Sequence, residues 1–394
     1  MLHVHSKARK ILVVCMFDSI HSARWLSQFL GDPDVEIVIF PSRRFKRLNP
    51  KLRLILRENR NIRLCGLPRA IPQNLLGYFS YFKFEVIGKL LCKTEIEVRG
   101  RGLKKVYDSV APTIIHALEI QGAGYLVSNV LKKSKRPDRA IVTNWGSDIY
   151  FYGAVPSERA KIIECLNEFT HYSAECQRDY ELALKFEFKG IMLPCMPNGG
   201  GIEMAHIMAP TPLSSSRNLL LVKAYGGTFG LGSVSVGITE RVLEISSAPK
   251  AFLYSVTDDL EPMVQDLIAK FPGRVEYSSV RKGLSHESLI EKFKVARCYL
   301  GMSRSDGIST SFLEALTYGS FPIQTDTSCA AEWVDLGAIG LIVSPEEESR
   351  IINKIYEVFS NDDLVNSAQL VNNDLAKQYL SFEYLKTIAQ AFYK

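Results

Sequence analysis

Short runs of β-branched and aromatic residues recur along the whole chain, each parted from the next by a stretch of helical spacing, and that alternation leaves few folds open. Runs at 11–17, 36–40, 62–65, 114–117, 140–144, 171–174 and 190–193 read as the strands of a first series. A second series follows at 219–224, 251–256, 275–278, 298–301, 321–324 and 341–343. Its helices are expected at 233–245, 260–271, 287–295, 310–318 and 346–359, with two more after Asp362. Strands that alternate with helices build parallel sheets covered on both faces. Between the series, 194–201 and the Pro- and Ser-rich 210–216 read as a break. At 394 residues the chain also exceeds what one core usually organises. Two tandem doubly wound α/β domains facing a cleft are therefore expected. Their boundaries are 1–205 and 206–375, with 376–394 a terminal helix crossing back to the first domain. Ligands of open α/β sheets bind beyond the carboxyl ends of the strands, which puts the chemistry in that cleft.

Charge is divided unevenly between the halves. Residues 1–200 hold 31 Lys/Arg against 19 Asp/Glu, whereas the remainder holds 17 against 23. The densest basic stretch, 43–69, includes Arg43, Arg44, Lys46, Arg47, Lys51, Arg53, Arg57, Arg60, Arg63 and Arg69, with Glu58 opposing them. It reads either as a solvated face or as a contact for anionic lipid head groups or a phosphorylated acceptor, because Leu52, Leu54, Ile55 and Leu56 interleave with the charges. Nucleic acid is not expected as a partner, since no zinc-finger spacing or RNA-binding signature accompanies the basic run. Eight cysteines without a C-x-x-C argue against a zinc site, and several fall within strand-like runs as buried thiols would. No secretory leader and no run of 18 apolar residues is found, so a cytoplasmic protein, peripheral at the inner membrane face, is expected.

The most informative segment is Ser303-Arg304-Ser305-Asp306-Gly307-Ile308-Ser309-Thr310-Ser311-Phe312-Leu313-Glu314-Ala315-Leu316. A buried strand ends, a Gly-bearing loop follows, and a helix opens. Ser311 and Glu314 have the spacing of a capping box, which would account for both locally. The loop offers more than a cap requires. Backbone N–H groups from Ile308 to Ser311, with Gly307 before them, suit diphosphate oxygens at a helix N-terminus. Asp306 can accept hydrogen bonds from sugar hydroxyls, and Glu314 can hold a ribose diol. After the first strand of the second series, the loop that contains Gly226 and Gly227 is neither a G-x-G-x-x-G fingerprint nor a P-loop.

Asp306 and Glu314, with Leu313-Glu314-Ala315-Leu316 and Gly319-Ser320-Phe321-Pro322-Ile323 beyond, resemble the E-x7-E region of retaining glycosyltransferases of family 4. That resemblance implies the GT-B fold, two Rossmann-like domains with the donor nucleotide held by the second. It makes Lys223 the lysine expected on the donor diphosphate. The arginine expected near Leu231 is absent, with Arg304 or Arg281 as substitutes. Thr143-Asn144-Trp145-Gly146-Ser147-Asp148 looks like the family's H-G-S-D loop, with Trp145 in place of His. Asp148, Gly146 and Ser147 would then face the transferred sugar or acceptor. Asn198-Gly199-Gly200 resembles the N-G loop before the domain crossing. His21 and Ser22 lie where the acceptor-side loop is expected, and His116, Glu119 and Gln121 end a strand toward the same cleft.

The implied activity is retaining transfer from a nucleotide-sugar, a UDP-sugar by the family's habit, to a glycan or lipid-linked acceptor in cell-surface polysaccharide synthesis. Asp306, Glu314 and Asp148 are the expected catalytic residues. No cofactor or metal is expected; the single D-x-D, Asp32-Pro33-Asp34, precedes a strand as a turn would. A catalytically inactive binding partner with the same fold is the alternative, suggested by the departures at Asp306, Leu231 and Trp145.

Overall fold

The computed structural model describes residues 8–45, 47–65 and 95–394. The chain divides into two units, Met1–Gly200 with Leu385–Lys394 and Gly201–Tyr384. Of the basic stretch, Lys46 and Arg69 lie outside the described residues.

The first unit holds a parallel sheet of seven strands, β1 (Arg9–Cys15), β2 (Val35–Pro41), β3 (Ile62–Leu64), β4 (Ile114–Leu118), β5 (Arg139–Thr143), β6 (His171–Ser173) and β7 (Ile191–Met192). Their order across the sheet is β3-β2-β1-β4-β5-β6-β7. Side-chain alternation assigns each strand residue to a layer. Ile11, Val13 and Cys15 of β1, with Val35, Ile37 and Ile39 of β2, pack on one face, while Leu12, Val14, Val38 and Phe40 pack on the other. The first of these faces is closed by the end of the chain, where Leu385, Ala389, Phe392 and Tyr393 join the core. Cys15, Cys65 and Cys165 are buried free thiols, and burial pushes the first two up to about 12.

The helix Pro50–Glu58 corrects one expectation. Its Leu52, Ile55 and Leu56 turn into the core and leave Leu54 exposed, because positions three and four apart share one helical face. The interleaved leucines and isoleucine therefore hold the helix down and do not form an apolar membrane-facing stripe. Arg57 pairs with Glu58 and Arg63 with Glu36, each across exposed or half-exposed surface. Among the described residues no helix is long and apolar enough to cross a membrane.

His116 is a second correction. It lies in the middle of β4, in register with Val13 and Ile141, and is fully buried. Its Nδ1 meets the Tyr393 hydroxyl at 2.9 Å and its Nε2 the Thr143 hydroxyl at 2.7 Å. Trp25 Nε1 donates to the same Tyr393 oxygen at 3.0 Å. The strand alternation that turns Ile114 and Leu118 inward turns His116 inward with them, so it ties the terminal segment to the sheet and is not a ligand-facing group.

The second unit holds a parallel sheet of six strands, β8 (Leu219–Lys223), β9 (Lys250–Val256), β10 (Val275–Ser279), β11 (Ala296–Gly301), β12 (Phe321–Thr325) and β13 (Leu341–Val343). Their order is β10-β9-β8-β11-β12-β13. Helices at Gly232–Ile245, Glu261–Lys270, His286–Val295, Thr310–Tyr318, Glu348–Ser360 and Asp362–Tyr379 follow the spacing read from the sequence. Thr310–Tyr318 stops at Gly319, whose φ of +77° no β-carbon would favour.

Burial holds the His116 imidazole neutral, its pKa pushed down to about 3 from 6.5. Below pH 6.5 the unfolded chain gains a proton that the folded chain refuses, so His116 costs stability as pH falls toward 3. Wild type is expected to lose up to roughly 1.4 kcal/mol per pH unit more than His116→Gln between pH 6.5 and pH 4.5. Urea unfolding at several pH values reads the difference; parallel losses in the two proteins would remove the assignment.

Candidate functional site

The six-stranded sheet reverses its winding between β8 and β11, the place beyond the carboxyl ends of the strands where sheets of this kind bind ligands. The two strands end level, with Lys223 opposite Gly301. Beyond them the loops 224–231 and 302–309 are zipped together. Gly230 and Ser303 form an antiparallel bridge, and Arg304 N donates to Phe229 O at 2.8 Å. Only a glycine fits at 230, because a β-carbon there would run into the carbonyl of Tyr225. Gly226 donates to Thr257 Oγ1 at 3.1 Å, and Gly227 follows it with a φ of +74°.

Three side chains gather at this point. The Lys223 ammonium lies 4.8 Å from the centre of the Tyr225 ring. The Tyr225 phenol is pushed up by burial and then by the Asp306 carboxylate. Lys223 and Asp306, far apart in sequence, are thus drawn to one tyrosine that the sequence reading did not single out. Of the two arginines considered as substitutes, Arg281 is paired with Asp258 at 2.7 Å on exposed surface, whereas Arg304 lies exposed on the loop itself.

The helix Thr310–Tyr318 opens next to this loop, and its start differs from the expected capping box. Ser309, not Ser311, is the residue before the helix, and its side chain makes no cap. The Ser311 hydroxyl is bonded to the Tyr254 hydroxyl at 2.7 Å. Tyr299, buried beside them, is pushed up by burial and eased by the hydroxyls of Ser309, Tyr254 and Ser311. Ser311 thus turns into the buried interior under the loop, whereas among the described residues the Ser309 and Tyr299 hydroxyls are buried without a hydrogen-bond partner. The first backbone N–H groups of the helix, from Thr310 onward, are left without a side-chain cap, and the partial positive charge of a helix N-terminus is directed outward. Ile308 and Gly307 are buried, and the Gly307 carbonyl accepts from Cys329 N at 2.8 Å.

Glu314 does not reach back to a cap. Its Oε1 meets His286 Nε2 at 2.7 Å, with the Glu314 side chain 5% exposed and the His286 side chain 50% exposed. His286 is the first residue of its helix, capped by Ser285, which accepts from Ser288 N. No local pattern links position 286 to position 314; only the packing of the two helices brings them together.

In the first unit the winding reverses between β1 and β4. Glu119 leaves β4 with a φ of +84°, outside the range most side chains tolerate, and its carboxylate accepts from Gly122 N at 2.8 Å and Ala123 N at 2.5 Å. Asp148 is buried beside it. Its Oδ2 accepts from Ile120 N at 3.0 Å and Trp145 N at 3.1 Å, while Gln121 Nε2 donates to its carbonyl at 2.7 Å. Asp148 thus pins the 119–121 and 145–148 loops to each other, with Gly146 at a φ of +77° and Ser147 N bonded to Trp145 O. The ring of His21 lies 5.5 Å from that of Trp145, so the histidine and the tryptophan that stands at the expected histidine position share one surface. Ser22 is buried against the Cys15 thiol, and Asn198 Nδ2 donates to Asn144 O at 3.3 Å.

Solved structures match the chain along nearly its whole length. HepE from Anabaena, in complex with UDP-glucose, superposes with a TM-score of 0.68 at 12% identity, over 97% of this chain and 99% of that one. Sucrose-phosphate synthase from Thermosynechococcus elongatus gives 0.69 at 12%, over 98% of each chain. A trehalose 6-phosphate synthase from Burkholderia multivorans gives 0.68 at 11%, over 98% and 99%. No family model matches the chain, and no curated protein matches it in sequence. At such identities the likeness establishes the fold, which is the GT-B architecture of two Rossmann-like sheets.

Burial, and then the neighbouring Glu119 charge, pushes Asp148 up to about 7 from 3.8. As pH rises from about 4 to 7 the unfolded chain releases a proton that the folded chain keeps, so this group costs stability across that window. Asp148→Asn, which keeps an acceptor for the two amides, is expected to gain relative to wild type as pH rises from 4 to 7. Chemical unfolding at both ends of the window checks it, and a constant difference would mean that Asp148 is ionised throughout.

Proposed function

We propose that the chain is a glycosyltransferase that moves a sugar from a nucleotide-sugar, a UDP-sugar first among them, to a glycan or lipid-linked acceptor with retention at the anomeric carbon. One observation carries the reading. At the winding reversal of the six-stranded sheet, a helix N-terminus free of any side-chain cap is flanked by a lysine and two acids, Lys223, Asp306 and Glu314.

In transfer, the bond between C1 of the sugar and the diphosphate oxygen breaks and its electron pair leaves with the nucleotide. The acceptor hydroxyl forms the new bond to C1 and gives up its proton to the departing phosphate. Charge grows on the diphosphate as it leaves. The N–H groups of Thr310 and Ser311 and the Lys223 ammonium would neutralise that charge without rearranging, which is where preorganised dipoles contribute most. Gly226 and Gly227 let the loop backbone come close to the diphosphate, and Gly307 and Ile308 set the turn that aims the helix. Asp306 would orient sugar hydroxyls, and Glu314 a ribose hydroxyl. Asp148 acts through the loop that it closes, holding Gly146 and Ser147 toward the sugar or acceptor, with His21 and Ser22 on the acceptor side. With lysine and backbone as the counter-charges, the reading calls for no metal. The basic charge of the first half, Arg53 and Arg57 included, supports an anionic acceptor or a membrane surface that carries it, as cell-surface polysaccharide assembly would provide.

The test is incubation with UDP-, GDP- and ADP-sugars, with released nucleotide followed over time. One donor class is expected to be turned over slowly without acceptor. Glu314→Ala is expected to lower that turnover about 10- to 100-fold, the loss of a hydrogen bond to a charged group, with its circular dichroism unchanged. Thermal unfolding in the presence of each nucleotide adds a binding readout, since ligand at one hundred times its Kd adds about 2.7 kcal/mol. Binding without turnover would favour an inactive carrier of the same fold. Neither binding nor turnover would end the donor-site reading.

A further inference from the structure

We propose that His286 is a positioning residue for Glu314 and, through it, sets the preference for a ribonucleotide over its deoxy counterparts. The inference rests on the donor-site reading above. It starts from an imbalance at Glu314, a carboxylate with 5% of its side chain exposed. A buried carboxylate needs donors on both oxygens. Among the described residues only one donor reaches it, His286 Nε2 on Oε1 at 2.7 Å. The nearby hydroxyls are committed elsewhere, since Tyr254 is bonded to Ser311 and the Thr317 hydroxyl donates to Leu313 O. The carboxylate is therefore held at Oε1 by the imidazole, while Oε2, not sealed from solvent, takes no donor from the described residues and is open to a ligand hydroxyl.

His286 is well built to hold it. The imidazole comes from the first turn of a separate helix whose start is fixed by Ser285, so its position does not depend on the loop 302–309 that would move with a diphosphate. It is half exposed, on the solvent side of the pair, whereas Glu314 is on the inner side. With Oε1 already accepting from the imidazole, Oε2 is the oxygen left wholly to a ribose hydroxyl. It presents Oε2 in one orientation to one ribose hydroxyl, and that hydroxyl becomes the one that is read. Without the imidazole the carboxylate would lose its fixed rotamer and its one compensating donor. Selectivity for the hydroxyl would then fall further than nucleotide affinity as a whole, because diphosphate contacts at Lys223 and the helix start are untouched.

The experiment titrates the full chain with UDP, ADP and GDP by calorimetry, and for the tightest of these with its 2′-deoxy and 3′-deoxy counterparts. Wild type is expected to bind one deoxy form about 10-fold or more weakly than the ribonucleotide, the scale of one hydrogen bond to a charged group. In His286→Ala that ratio is expected to fall to within about 3-fold, and in His286→Gln, whose amide can donate near the Nε2 position, to recover. His286→Asn, too short to reach, serves in place of alanine if the alanine variant does not fold. A ratio unchanged or enlarged in His286→Ala or His286→Asn overturns the inference alone, as does a wild type indifferent to both deoxy forms. Failure of wild type to bind any nucleotide takes the donor-site reading with it.

Discussion

Everything that gives this chain a site follows from the handedness of its crossovers. In a parallel sheet each strand-helix-strand passage is right-handed, so a chain that winds outward from β8 through β9 to β10 lays its helices on one face and must return to β11 with helices on the other. The loops after β8 and β11 then lead to helices on opposite faces of the sheet. The first sheet repeats the pattern between β1 and β4. A crevice at each reversal is a consequence of topology before any side chain is chosen, and the residues that fill the crevice decide what it does.

The two reversals are furnished differently. In the six-stranded sheet the backbone is braced across the crevice by the Gly230–Ser303 bridge, which leaves Asp306 half-buried and Lys223 stacked on Tyr225 at the rim. In the seven-stranded sheet the acids are spent on the backbone: Glu119 on the turn that follows it, Asp148 on Ile120 and Trp145. Burial raises the affinity of both carboxyls for a proton, the Glu119 charge adds to it at Asp148, and strained backbone at Glu119 is a further cost. Such an arrangement persists only where it fixes the shape of a loop, and the loop it fixes carries Gly146 and the Trp145 ring that meets His21.

The strands were readable because burial on both faces demands continuous apolar runs, and each of the thirteen described strands overlaps a run picked out by composition alone. The positions proposed for the donor side stood out for a related reason. The Asp306 and Glu314 spacing straddles a loop and the first turn of a helix, a local geometry that sequence encodes directly. What sequence did not carry was the direction of the side chains. The capping-box spacing of Ser311 and Glu314 is real, but Tyr254 competes for Ser311 and His286 for Glu314, and neither competitor is near in the chain. His116 was read as a strand-end group when its neighbours Ile114 and Leu118 already implied an inward position, so the period-2 signal was available and outweighed by the chemistry of the residue type. The alternation of Arg and Leu in the helix Pro50–Glu58 was the reverse case, a core stripe that resembled an amphipathic surface because basic residues filled the remaining positions.

The misreading at the helix Thr310–Tyr318 has a general cause. A polar side chain near a helix start has two outlets, the orphan N–H groups of its own first turn or a partner supplied by the fold. Local reasoning sees only the first. Here the fold supplies Tyr254 and His286, each from a different element, and they draw Ser311 and Glu314 away from the turn. Uncapped N–H groups cost stability unless something else meets them. The fold thus turns Ser311 and Glu314 away from the first turn through one buried tyrosine and one histidine, and the N–H groups of that turn take no side-chain cap.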